Sequence, residues 1–190
     1  MYVNPGFVNN LLDKILEIRV EQGKRFLEIR VDVICLADDI GVQNGMMISP
    51  QLWRKYLKPR MRRLIYELKM KEDVKVFYHS DGYIEPVISD LIEIGVDILN
   101  PIQPECMNPA EIKRKYGDKL TLHGTVSLQE TLAKGSVEDV KTEVLERIRT
   151  CSKGGGFVLA PSNRITPDVP LENVLALYET AKKLGVYRKC

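Results

Sequence analysis

Cysteine is scarce and scattered in this sequence. Cys35, Cys106, Cys151 and Cys190 stand far apart and form no Cys-x-x-Cys pair, which sets aside a disulfide framework and fits a reducing, cytoplasmic setting. A strong charge of either sign is missing too. With 28 basic against 26 acidic residues the net charge is +2, and nothing in that balance argues for nucleic acid or an anionic membrane. The densest basic stretch, Lys58-Pro-Arg-Met-Arg-Arg63, reads as a solvated helix face. No apolar run approaches the roughly 18 residues of a membrane span. The N-terminal Met1-Tyr-Val-Asn-Pro-Gly-Phe7 lacks the basic-then-apolar pattern of a secretory leader. What remains is 190 residues, 44% hydrophobic and 28% charged, the composition of a globular protein with enough chain for one core and one domain spanning residues 1–190.

The most informative stretch is Val74-Lys-Val-Phe-Tyr-His-Ser-Asp-Gly82. Val74, Val76, Phe77 and Tyr78 make a β-branched and aromatic run suited to a buried strand. It breaks into His79, Ser80, Asp81 and Gly82, so an imidazole, a carboxylate and a turn residue meet where a strand ends. In α/β proteins ligands bind at such ends. The plain alternative is that His79 and Asp81 only cap the turn.

The same architecture recurs along the chain. Asn4-Pro5 and Ser49-Pro50 pair a capping side chain with a first-turn proline, predicting helix starts. The first helix carries Phe7, Leu11, Leu12, Ile15, Leu16 and Ile18 at helical spacing and runs to about Leu27. Val31–Ala37 predicts a strand ending in Asp38 and Asp39, and Asn44-Gly45 a turn. Pro59, inside the stripe from Trp53 to Leu68, predicts an interrupted helix. Further strands are expected at Val96–Asn100, Leu120–Gly124 and Phe157–Ala160. Helices are expected through Val87–Ile92, from Asn108-Pro109 to Gly117, from Val137 to Cys151 and after Pro170.

Five strands, each followed by an amphipathic helix, predict a parallel sheet with right-handed crossovers. The strand C-termini then share one rim, where polar residues gather: Asp38 and Asp39; His79 and Asp81; Asn100 and Gln103; His123 and Thr125; Ser162, Asn163 and Arg164. His79 reads as metal ligand or acid/base. Asp81 reads as its partner or as a turn former. One of Asp38 and Asp39 is expected to face the rim. His123 reads as a ligand or as a hydrogen-bonded structural residue. Gln103 and Asn163 suit a polar substrate, and Arg164 a carboxylate.

Five of these runs carry a resemblance: Asp38-Asp-Ile-Gly-Val-Gln43, Ser49-Pro-Gln-Leu-Trp53, His79-Ser-Asp-Gly82, Gly95-Val-Asp-Ile-Leu-Asn-Pro-Ile-Gln103 and Gly155-Gly-Phe-Val-Leu-Ala-Pro161. In that order they resemble the uroporphyrinogen decarboxylase superfamily, which includes the decarboxylase of haem biosynthesis and zinc methyltransferases that work with corrinoid proteins. The resemblance implies a (β/α)8 TIM barrel of which this chain is a partial copy, the last five strand–helix units. A bare barrel takes about 250 residues, so the first three units are expected to be absent, whether this is a fragment or a short gene product.

The methyltransferase branch implies zinc held by His-x-Cys after one strand and by a second cysteine after a later one. His79 matches the histidine. Asp81 stands where the first cysteine would be, and Ser162 or Asn163 near the second. Aspartate ligates zinc acceptably; serine and asparagine do so poorly. The resemblance implies a methyltransferase-like protein in which His79 and Asp81 hold a divalent metal, zinc by analogy, with His123 or Asp39 as a further ligand. A small substrate would enter the open position and a corrinoid protein would carry the methyl group. Its runner-up is a tetrapyrrole decarboxylase, without metal, that binds substrate carboxylates through Arg164 and backbone N–H groups. A third reading is a non-catalytic half-barrel that completes a second chain. Five strands cut from a barrel leave two apolar edges, so self-association or a second polypeptide is expected.

Overall fold

The computed structural model describes residues 1–70 and 73–186. Helix α1 (Pro5–Glu28) starts as its sequence predicts, with the Asn4 side chain accepting from the Phe7 backbone N–H. Strand β1 (Val33–Ala37) follows, then a small hairpin of β2 (Gly41–Val42) and β3 (Gly45–Met46) turning at Gln43-Asn44. Helix α2 (Pro50–Tyr56) is capped by Ser49, and α3 (Lys58–Lys69) follows after a break at Leu57. The break has a physical cause: Pro59 cannot donate a backbone hydrogen bond, and it is tolerated in the first turn of a new helix.

Strand β4 (Lys75–His79) leads through the turn Glu85–Val87 into α4 (Ile88–Glu93). Then come β5 (Ile98–Asn100), α5 (Pro109–Tyr116), β6 (Thr121–His123), α6 (Val137–Cys151), β7 (Phe157–Val158) and α7 (Leu171–Leu184). The segment between β6 and α6, expected to be plain loop, holds a helical turn at Leu128–Leu132 capped by Ser127. The last strand is shorter than expected, though a bridge between Val126 and Pro161 extends its pairing. Cys190, expected to close a helix, lies outside the described residues.

The five long-range strands form one sheet in the order β1-β4-β5-β6-β7, all parallel. This is the expected α/β fold, with β1 and β7 at its edges. Its core joins Val76, Tyr78, Leu99 and Leu122 from the strands to Trp53, Ile65, Ile88, Leu91 and Ile112 from the helices. A second core lies under α6 and α7, around Val140, Val144 and Leu177.

The first helix departs from expectation. Of its predicted apolar stripe only Leu16 is buried, together with Val20, Gly23 and Leu27 against α3, while Phe7, Leu11, Ile15 and Ile18 face outward. A Cβ on Gly23 would come within 2.4 Å of Leu68, so the glycine lets the two helices approach closely. The apolar residues of α1 therefore cover two faces, of which one is packed.

Register positions the rim. Ala37 pairs with His79, His79 with Asn100, Leu99 with Leu122 and His123 with Val158. Strand ends therefore align side by side at a spacing of about 4.8 Å, and in-register side chains share a face.

Candidate functional site

The loop after β4 is clipped to the loop after β1 by its own backbone and by Ser80. Ser80 is fully buried; its hydroxyl accepts from the Ile40 N–H at 3.0 Å and donates to the Asp81 carbonyl. The Asp81 N–H donates to Oδ1 of Asp39 at 2.9 Å, and the Tyr83 N–H to the Val42 carbonyl at 2.9 Å. Two glycines permit this approach. A Cβ on Gly82 would lie 2.6 Å from the carbonyl carbon of Gly41, and Gly82 has φ +81°, the left-handed region that glycine favours.

Held this way, His79 points its Nε2 at two carboxylates. Asp39 Oδ1 lies 3.8 Å away and Asp81 Oδ1 3.9 Å away. The three ligand atoms all fall within 4.8 Å of one another. Asp81 is kept in place by Asn163, whose amide donates to its other oxygen at 2.7 Å. Burial pushes the Asp81 carboxyl up from its ordinary range and the Asp39 charge adds to this, while His79 and the Asn163 hydrogen bond pull the other way.

On its far side the His79 ring meets Asn100: Nδ1 and Oδ1 are 2.6 Å apart. The Nδ2 of the same amide lies 2.8 Å from Nδ1 of His123. An amide oxygen accepts, so this contact suits the His79 tautomer that donates from Nδ1. Its Nε2 is turned toward two carboxylate oxygens, one of which also accepts from the Asp81 backbone N–H, and two carboxylates facing one ring nitrogen favour a cation.

A metal fits this donor set. Tetrahedral coordination with bonds of about 2.1 Å implies ligand–ligand edges of about 3.4 Å, so each carboxylate oxygen would close on His79 Nε2 by about half an ångström from its 3.8 or 3.9 Å separation. The donors are one imidazole nitrogen and two carboxylate oxygens, without a thiolate.

The remaining rim residues separate. Asp38 turns away: its carboxyl lines a separate cavity of about 240 Å³ with Arg19 and Tyr78, and burial raises its pKa. His123, considered as a further ligand, is bonded to Asn100 and lies outside the acid–imidazole cluster; burial lowers its pKa. Asp39 is the residue that joins His79 and Asp81. Gln103 accepts from the Gly82 N–H at 3.1 Å. Gln103, Asn163 and Arg164 line a cavity of about 380 Å³ together with Gln43, Asp81 and Gln129. Among its described lining residues Asp81 is the one carboxylate and Arg164 the one cation. Cys106 is half-buried behind the rim, its thiol pushed up by burial and by the charges of Glu105 and Asp81.

Reading the sequence missed the part played by Asn100 and Ser80. Asn100 was visible as a rim residue, but its place between two histidines depends on strand register. Ser80 carries no signal apart from its neighbours His79 and Asp81.

Known proteins resemble this arrangement of strands and loops. A methylcobamide:CoM methyltransferase, MtaA, of Methanosarcina barkeri is 30% identical over 166 residues, covering 87% of this chain and 46% of that protein. A uroporphyrinogen decarboxylase of Coxiella burnetii is 21% identical over 193 residues, covering 98% and 50%. A solved methyltransferase from Methanosarcina mazei superposes with TM-score 0.76 at 28% identity, over 94% of this chain and 50% of that one. A dihydropteroate synthase of Xanthomonas albilineans, TM-score 0.52 at 16% identity over 90% and 62%, shares the fold alone. The chain thus spans about half the length of the curated relatives it matches. Among the described residues no helix is long and apolar enough to cross a membrane. The profile of uroporphyrinogen decarboxylase (URO-D) matches residues 1–184, and the chain belongs to that family.

Proposed function

We propose that this chain carries the metal- and substrate-binding rim of a methyltransferase-like member of the family, with His79, Asp39 and Asp81 holding a divalent cation. The observation that carries this reading is the convergence of His79 Nε2 on Asp39 Oδ1 and Asp81 Oδ1 at 3.8 and 3.9 Å. A divalent cation held by these three residues would supply Lewis-acid chemistry, lowering the pKa of a small nucleophile. Asp81 is aligned by Asn163, and Asp39 by the backbone N–H of Asp81. The adjoining cavity of about 380 Å³ offers amide groups of Gln43, Gln103, Gln129 and Asn163 to a small polar substrate, with Arg164 to hold an anionic group. The methyl carrier in this reading is a corrinoid protein, in line with the name of the Methanosarcina barkeri relative.

The decarboxylase alternative fits the rim less well. Among the described residues of this chain that line the cavity, Arg164 is the one cation and Asp81 the one carboxylate, a lining that supports a substrate with one anionic group over a tetrapyrrole with several. Metal analysis after mild dialysis, with His79→Ala as control, tests the proposal. Stoichiometric divalent metal in the wild type and a loss of at least tenfold in the variant is the expected result. Equal content in both, or none in either, overturns it.

A further inference from the structure

Asn100 lies between the only two histidines of the chain. A carboxamide is asymmetric: one end accepts and the other donates. Whatever stands on its two sides must therefore present opposite hydrogen-bonding faces. We infer that Asn100 is a positioning residue that imposes opposite tautomers on the two rings, holding His79 with its proton on Nδ1 and His123 with its proton on Nε2. The inference deepens the proposed metal site and rests on it only for its consequence in metal affinity.

Four observations support the assignment. First, strand register places Asn100 directly beside His79, and the β5–β6 pairing brings it alongside His123. Second, Asn100 is buried and its backbone carbonyl accepts from the Ser80 N–H at 2.9 Å, so its side chain is presented from a fixed frame. Third, the amide is crowded from below: a Cβ on Gly124, which has φ +74°, would lie 2.6 Å from Asn100 Nδ2. Only glycine leaves room for the amide there. Fourth, the reversed amide would force the His79 proton onto Nε2, aimed at carboxylates 3.8 and 3.9 Å away. Those separations exceed the roughly 3.2 Å limit of a useful N–H···O bond. The observed orientation instead spends the Nδ1–H on a 2.6 Å contact and leaves the Nε2 lone pair facing Asp39 and Asp81.

The consequence is specific to each ring. His79 is preset as a ligand, since an imidazole binds metal through a lone pair and the bond at its other nitrogen decides which one is free. His123 is preset as a neutral hydrogen-bond donor through Nε2. Burial, which lowers its pKa, keeps it neutral. One side chain thus divides two identical residues between a ligand role and a donor role.

The test uses the metal-free protein labelled with 15N in histidine. Two histidines give four ring nitrogens, and long-range 1H–15N correlations at a pH where both rings are neutral report each tautomer directly. His123→Gln provides the assignment. The expected result is Nδ1–H for His79 and Nε2–H for His123. Asn100→Asp supplies an acceptor to both rings, so His79 keeps its tautomer while His123 moves to Nδ1–H. Asn100→Leu releases both rings, and His79 shifts toward the Nε2–H form that free imidazoles favour. Calorimetric titration with Zn²⁺ or Mn²⁺ should then show affinity about 10- to 100-fold weaker for Asn100→Leu and largely rescued in Asn100→Asp. A packing role alone would weaken both variants alike and leave the tautomers unmoved, which overturns the inference. So does an Nε2–H tautomer of His79 in the wild type. If Asn100→Leu fails to fold, the wild-type and Asn100→Asp spectra still decide. If the wild type binds no metal, the proposed function falls while the tautomers still decide this point.

Discussion

Asp81 and Asn163, 82 positions apart in the chain, meet across the mouth of the sheet, with the Asn163 amide donating to the Asp81 carboxylate at 2.7 Å. Asp81 follows β4 and Asn163 follows β7, with two strands between them in the sheet. Three strand spacings in a flat sheet would separate them by about 14 Å. Asn163 stands five positions beyond Val158, the last residue of β7, so the reach of that loop together with the curl of the sheet closes the gap. The loops after β1, β4 and β7 line one cavity.

The same contact predicts how the site responds to thiolates. Asp81→Cys together with Asn163→Cys sets two thiols side by side next to His79, since the parent Asp81 and Asn163 side chains touch and Asp81 Oδ1 lies 3.9 Å from His79 Nε2. Zinc prefers such ligands to carboxylate and amide oxygens. The double variant is expected to bind Zn²⁺ at least tenfold more tightly than the wild type, with no comparable gain for Mn²⁺. Competition against a chromophoric chelator measures both, and an unchanged zinc affinity contradicts the placement of the ligands.

Gly82→Ala tests the clip between the β1 and β4 loops. The new methyl would sit 2.6 Å from the Gly41 backbone at a residue with φ +81°. Left-handed strain and overpacking together should cost about 3 kcal/mol. The fluorescence of Trp53, the single tryptophan and fully buried, reports this in urea melts. A variant as stable as the wild type would mean that the two loops are free to separate.

A pH dependence follows from Asp90 on α4. Burial alone would raise its pKa, but hydrogen bonds from Arg54 and Lys58 outweigh this and hold the carboxyl below its ordinary value of 3.8. A depressed folded-state pKa contributes stability above the unfolded-state value and loses it as pH falls through the folded one. Asp90→Asn should therefore cost about 2 kcal/mol near neutrality. The gap between variant and wild type should narrow as the solution is acidified below about pH 4. Urea melts at both ends of that range check the sign; a gap that widens on acidification contradicts it.

The open edges predict association. Val33 on β1 and Val158 on β7 are 45% and 44% exposed, and α1 turns Phe7, Leu11, Ile15 and Ile18 outward. Contiguous apolar surface of this kind marks an interface, and unpaired strand edges invite pairing. Light scattering across a dilution series is expected to show a dimer or larger species. A freely soluble monomer with a cooperative melt overturns this expectation.

The sequence by itself determined the elements and their order. Caps and first-turn prolines at Asn4-Pro5, Ser49-Pro50 and Asn108-Pro109 start helices through contacts within a few residues, and the interruption at Pro59 is equally local. It also determined that His79, Asp81, Gln103, Asn163 and Arg164 end up near one rim, because parallel strands place their C-termini on the same side. Tertiary structure decided which of these residues touch. That Asp39 and not Asp38 faces His79 depends on the path of one loop over Gly41 and Gly82. That Asn100 bridges two histidines depends on a register to which neither strand alone holds the key. That Asn163 reaches Asp81 depends on how the loop after β7 crosses the mouth of the sheet, and that the apolar residues of α1 cover two faces depends on what packs against them. Local chemistry shapes a helix end or a strand within a few residues, whereas register and curvature are set by pairing across the whole sheet.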